Sequence, residues 1–79
     1  MTTHELKIKK EYAEFVLNGI KTFEIRKNDR DYQVGDLVRF KVIDGDLEMP
    51  DVYLITYVLK GVPQYGLSED YVVFAIKKI

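Results

Sequence analysis

Gly19-Ile20-Lys21-Thr22-Phe23-Glu24-Ile25-Arg26 is where this chain changes period. Before it, Ala13, Val16, Leu17 and Ile20 fall at the spacing of one helical face, so residues 10–18 predict a short helix. Asn18-Gly19 closes that helix, because glycine takes the left-handed cap conformation without steric cost. After it, residues 21–28 alternate as a strand does. Phe23 and Ile25 are expected to face the core. Thr22, Glu24, Arg26 and Asn28 are expected to share the opposite, polar face.

The rest of the chain reads outward from this junction. Residues 4–9 alternate, with His4, Leu6 and Ile8 on one side and Glu5, Lys7 and Lys9 on the other, as in a half-buried strand. Asn28-Asp29-Arg30-Asp31 and Val34-Gly35-Asp36 are turns. Residues 37–43 predict a third strand with Val38, Phe40 and Val42 inward and Arg39 and Lys41 outward. Asp44 to Pro50 is a loop. Residues 52–59, rich in β-branched and aromatic side chains, predict a fourth strand. A loop with Pro63 and Gly66 leads to a last strand over 71–78, with Val72, Phe74 and Ile76 on one face. The order β-α-β-β-β-β predicts an α+β fold: a curled, mostly antiparallel sheet of about five strands with one helix against its opening.

Seventy-nine residues suffice for one domain, and the mix of 47% hydrophobic with 32% charged residues is that of a globular chain. No cysteine is present, which removes disulfides and thiol chemistry, and a single histidine gives no basis for a structural zinc site. Neither a metal nor an organic cofactor is expected. No apolar run is long enough for a leader or a membrane span, so a cytoplasmic location is expected. The net charge of −1 argues against strong, sequence-independent attraction to a long polyanion. Any nucleic-acid contact is therefore expected to be local, covering a few nucleotides.

Glu24 and Arg26 are two apart on a strand and project together, with Lys21 at the helix–strand junction able to reach the same cleft. Arginine suits planar, bidentate recognition of phosphate or a base. Glutamate accepts hydrogen bonds from an exocyclic base amine. The same pattern also describes a solvated strand face whose ion pair is worth about 0–1 kcal/mol.

Gly19-x-Lys21-x-x-Glu24-x-Arg26 matches the pattern GxKxxExR of the ASCH domain, a branch of the PUA-like superfamily. Lys27-Asn28-Asp29-Arg30-Asp31-Tyr32 and Val34-Gly35-Asp36 continue the likeness. So do His4-Glu5-Leu6-Lys7-Ile8, Tyr65-Gly66-Leu67 and Tyr71-Val72-Val73. Over nearly its whole length the chain resembles a short ASCH/PUA-like family of bacteria and their phages, a domain of unknown function. The resemblance implies a small pseudo-barrel with a helix beside it and a cleft for RNA between them. Two departures matter. Ile43 to Asp51 is too short for the extra helix and long loop of larger ASCH proteins, which implies a shallower cleft. A related group that hydrolyses N4-acetylcytidine shares the Gly-x-Lys-Thr start but carries Thr at the position of Glu24. That group also uses a late acidic residue, a role that neither Glu69 nor Asp70 is assigned from sequence.

Three functions are consistent with these residues. The first is a module binding short single-stranded RNA or a nucleotide. In it Lys21 and Arg26 meet phosphate or a base carbonyl, Glu24 a base amine, and Thr22, Asn28 and Arg30 assist. The second is a small hydrolase of a modified, N4-acetylcytidine-like nucleoside or of RNA, with Lys21 as base or activator and Glu24 as proton shuttle. The third is a protein-contact domain. Arg30 and Asn28 serve equally well as turn supports. His4 is expected inward as a hydrogen-bonded structural histidine. Tyr65 and Tyr71 are expected to complete the core edge with wet hydroxyls, with base stacking the lesser reading.

Overall fold

The computed structural model describes residues 1–79. The elements are β1 (Thr3–Ile8), α1 (Lys10–Leu17), β2 (Phe23–Lys27), β3 (Leu37–Val42), β4 (Val52–Leu59), a 3-10 turn (Pro63–Tyr65) and β5 (Tyr71–Lys78). One sheet runs β1-β3-β4-β5-β2. β1 and β3 pair in parallel, and every other pairing is antiparallel. The result is a curled half-barrel of five mostly antiparallel strands plus one helix, an α+β fold. Between Ile55 and Tyr57 the β4–β5 register slips, a bulge that increases local twist and helps the sheet curl.

Alternation drives the strands. Leu6 and Ile8 of β1, Val38 and Phe40 of β3, Tyr53 and Ile55 of β4, and Val72, Phe74 and Ile76 of β5 are all buried. Ala13 and Val16 of α1, Tyr32 and Met49 complete this core. The helix ends as its sequence directs. Gly19 takes φ +72°, and the N–H groups of Ile20 and Lys21 both donate to the Phe15 carbonyl at 3.0 Å. That turn sends the chain from α1 to the edge of the sheet opposite β1. The helical face is narrower than the pattern predicts: Ile20 is 69% exposed, because it lies beyond the cap.

The turn after β2 reverses at Asp31, which adopts φ +47° and accepts a hydrogen bond from Gln33 Nε2 at 2.8 Å. A short polar side chain tolerates that conformation. The reversal delivers the Tyr32 ring between His4 and Phe74, with both centroid separations 4.7 Å. His4 is buried and hydrogen-bonded, its Nε2 lying 2.8 Å from Asp36 Oδ2.

One strand is turned over relative to its sequence reading. β2 alternates, but Phe23 and Ile25 are 45% and 55% exposed, whereas Glu24 is 5% exposed. The register explains it. Glu24 pairs with Phe74 and Arg26 with Val72, both inward residues of β5, so the charged side of β2 faces into the half-barrel. A buried carboxylate is sustained there because two cations accompany it.

Candidate functional site

β1 and β2 are the two edges of the sheet, and no backbone ladder joins them. Arginines span the seam instead. Arg26 Nη2 donates to the Lys7 carbonyl at 2.7 Å, and Arg30 Nη1 donates to the Glu5 carbonyl at 3.2 Å. The curl therefore closes through side chains, and a cleft of about 530 Å³ opens along the seam. Its walls are the end of β1 with the start of α1 (Lys7, Lys9, Tyr12), the β2 side (Lys21, Phe23, Glu24, Arg26) and Ile43.

Glu24 is the centre of the charge arrangement. Lys21 Nζ lies 3.1 Å from its Oε1, and Arg26 Nε lies 3.6 Å from its Oε2. The Lys21 ammonium donates to the Phe23 carbonyl at 2.7 Å and stands over the Phe23 and Tyr12 rings, 5.2 and 5.8 Å from their centroids. Glu24 Oε1 is fully buried yet receives no hydrogen bond of adequate angle. The contact with Lys21 is thus an ion pair by distance, and a directed acceptor position remains open. Burial raises the pKa of the Tyr32 phenol, Arg26 and Arg30 oppose that rise, and Asp29 and Glu24 add to it. The phenol therefore belongs to the same electrostatic neighbourhood and stays protonated at neutral pH.

Cations dominate the walls. Lys7, Lys9, Lys21 and Arg26 face the single carboxylate of Glu24, a formal +3 in a chain of net charge −1. Apolar surface is present as well, from Ile8, Tyr12, Phe23, Ile25 and Ile43. Positive charge beside exposed aromatic faces suits an anionic ligand with a planar part. No cluster of three His, Cys, Asp or Glu side chains occurs in the fold.

The fold brings together Lys21, Glu24 and Arg26 and separates the other candidates from them. Thr22 opens on a second, smaller hollow of about 240 Å³ between the helix end and β5. It lies just before β2 and gives its carbonyl to Ile76 N–H. Asn28 is exposed, its N–H held by the Asp70 carbonyl at 2.8 Å. Arg30 is committed to the Glu5 carbonyl. Neither Asn28, Arg30, Glu69 nor Asp70 lines the larger cleft. Tyr65 and Tyr71 do not complete the core edge: they are 80% and 45% exposed, Tyr65 because the 3-10 turn carries no buried residue, and Tyr71 because it opens β5 on the side opposite Val72, Phe74 and Ile76.

Sequence reasoning missed Tyr12, Lys7 and Lys9. Tyr12 falls off the apolar helical face, and that displacement was its one legible mark. Lys7 and Lys9 looked like the solvated side of a strand, and their role depends on the distant β2 edge.

Residues 3–76 match the family described as "Domain of unknown function (DUF3850)". No curated protein matches the chain. Among solved structures, "Crystal structure of hypothetical protein PH0355" is similar over 100% of both chains, with a TM-score of 0.68 and 16% identity. At that identity the likeness shows the fold alone.

Proposed function

This chain belongs to the DUF3850 family, and we propose that it is a binding module whose β1–β2 cleft holds short single-stranded RNA or a nucleotide. The observation that carries this reading is Glu24 Oε1, a buried acceptor without a hydrogen bond, set among four cationic side chains and two aromatic rings. A buried polar atom left open costs about 1–3 kcal/mol unless something donates to it. A base amine or ring N–H is such a donor. Lys7, Lys9 and Lys21 supply the positive field for phosphate, and Tyr12 and Phe23 offer faces to a base. The resemblance of Gly19-x-Lys21-x-x-Glu24-x-Arg26 to the ASCH pattern of the PUA-like superfamily supports the same cleft.

The test is titration with ribonucleoside monophosphates and short RNA, followed by backbone amide shifts. Expected are shifts clustered at residues 7–12 and 21–26, weakened about tenfold or more by Glu24→Ala, the scale of one charged hydrogen bond. Shifts confined to β4 and the 61–70 loop would move the site elsewhere.

The Lys21–Glu24 contact also favours a second reading, a small hydrolase of an N4-acetylcytidine-like nucleoside, because 3.1 Å is within range for passing a proton. Incubation with N4-acetylcytidine separates the two. Released acetate supports the hydrolase, and retention without product supports the module.

A further inference from the structure

We infer that the occupant of the β1–β2 cleft is a free mononucleotide, not a strand of RNA. This rests on the nucleotide-binding reading above and narrows it. The charge distribution is the first reason. The cleft carries a formal +3, so the remainder of the chain carries −4 to make the total of −1. A single phosphate inside the cleft meets all of this positive excess, whereas a long polyanion gains no net attraction from the remainder of the chain.

Glu5 precedes Lys7 along the outward side of β1, and Glu11 and Glu14 lie on α1. Asp44 Oδ1 accepts the Lys10 N–H at 2.7 Å, so an acidic side chain already occupies the start of the helix.

Arg26 gives the second reason. Its guanidinium is engaged by the Lys7 carbonyl and by Glu24, which leaves Lys7 and Lys9 as the uncommitted cations of the β1 wall. Two lysines suit one phosphate. Size is the third reason: about 530 Å³ falls within the roughly 300–1,000 Å³ of small-molecule sites, room for one nucleotide.

Calorimetric titration of the full chain with CMP, UMP, AMP and GMP, the four parent nucleosides, and a single-stranded RNA about ten nucleotides long tests this. Expected is binding of at least one monophosphate, with its nucleoside about tenfold weaker, a preference that Lys7→Ala/Lys9→Ala abolishes. Both lysines are exposed, so that variant keeps its fold. The RNA is expected to bind no more tightly than the monophosphate. Binding of the RNA about tenfold tighter, with affinity falling steeply in salt, overturns the mononucleotide inference and leaves the cleft reading standing. A nucleoside that binds as tightly as its monophosphate also overturns the inference. Binding of none of the probes overturns both.

Discussion

Arg26 Nη2 donates to the Lys7 carbonyl at 2.7 Å, and this bond links two edge strands that share no backbone ladder. The same guanidinium neutralises Glu24, 3.6 Å away. One side chain therefore serves both the shape of the cleft and the closure of the sheet, with Arg30 as the second link across the seam. Arg26→Ala is expected to lower stability by about 1–3 kcal/mol, the scale of a charged hydrogen bond with its partner left open. Lysine lacks the fork needed to serve a carbonyl and a carboxylate together, so Arg26→Lys recovers only part of the loss. Urea denaturation reads both. Faster amide exchange across β1 in Arg26→Ala is the accompanying sign, and an unchanged midpoint would show that the seam closes without this residue.

Glu24 and Lys21 form a second dependency. Lys21 keeps only 17% of its side chain exposed and Glu24 7%, so each neutralises the other in a place water reaches poorly. Glu24→Met leaves the ammonium with only the Phe23 carbonyl, and Lys21→Met leaves the carboxylate to Arg26 alone. The double variant removes both charges of the pair, and Arg26 keeps its bond to the Lys7 carbonyl. A thermodynamic cycle is therefore expected to give a coupling of about 0.5–3 kcal/mol, with the double variant more stable than the sum of the singles implies. Simple additivity in denaturation midpoints would reduce this pair to a surface contact.

Acid sensitivity is expected at Asp36. Burial alone would raise its carboxyl pKa. The hydrogen bond with His4 and the N–H groups of Gln33 and Thr2 outweigh that effect and hold the pKa below the ordinary 3.8. A depressed folded-state pKa stabilises the fold above the unfolded value. The contribution declines as pH falls below about 3.8 and is gone once the folded carboxyl itself protonates. Asp36→Asn is expected to cost about 1–3 kcal/mol at neutral pH and to flatten the acid limb of the stability profile. An acid limb of unchanged slope in that variant would place the sensitivity on other carboxylates.

The strands that were legible to the residue are those whose inward side is wholly apolar. Residues 52–59 and 71–78 are β4 and β5, the first as its β-branched and aromatic content predicts and the second as its alternation predicts. β2 shows the limit of that logic. Its period was legible and its phase was not, because periodicity ranks Phe23 and Ile25 as inward by hydrophobicity. At an open edge, the inward position instead goes to Glu24 with its two cations. The convergence of Lys21, Glu24 and Arg26 was readable from local spacing. The contribution of Tyr12, Lys7 and Lys9 was not, because only the crossing of α1 between opposite sheet edges sets them against β2.

Tyr12 gives the cleanest separation of binding from folding. It is 47% exposed, lines the cleft, and lies 5.8 Å from the Lys21 ammonium by ring centroid. No hydrogen bond holds its hydroxyl, so the ring is the functional part. Loss of a stacking face costs about 1–3 kcal/mol of binding, which is roughly a five- to 150-fold loss of affinity. Tyr12→Ala is thus expected to weaken monophosphate binding on that scale while shifting the denaturation midpoint little, since the helix buries Ala13 and Val16 instead. Tyr12→Phe retains the ring and is expected to bind as the parent does. If Tyr12→Phe loses as much affinity as Tyr12→Ala, the hydroxyl is the contact and no base stacks on this ring.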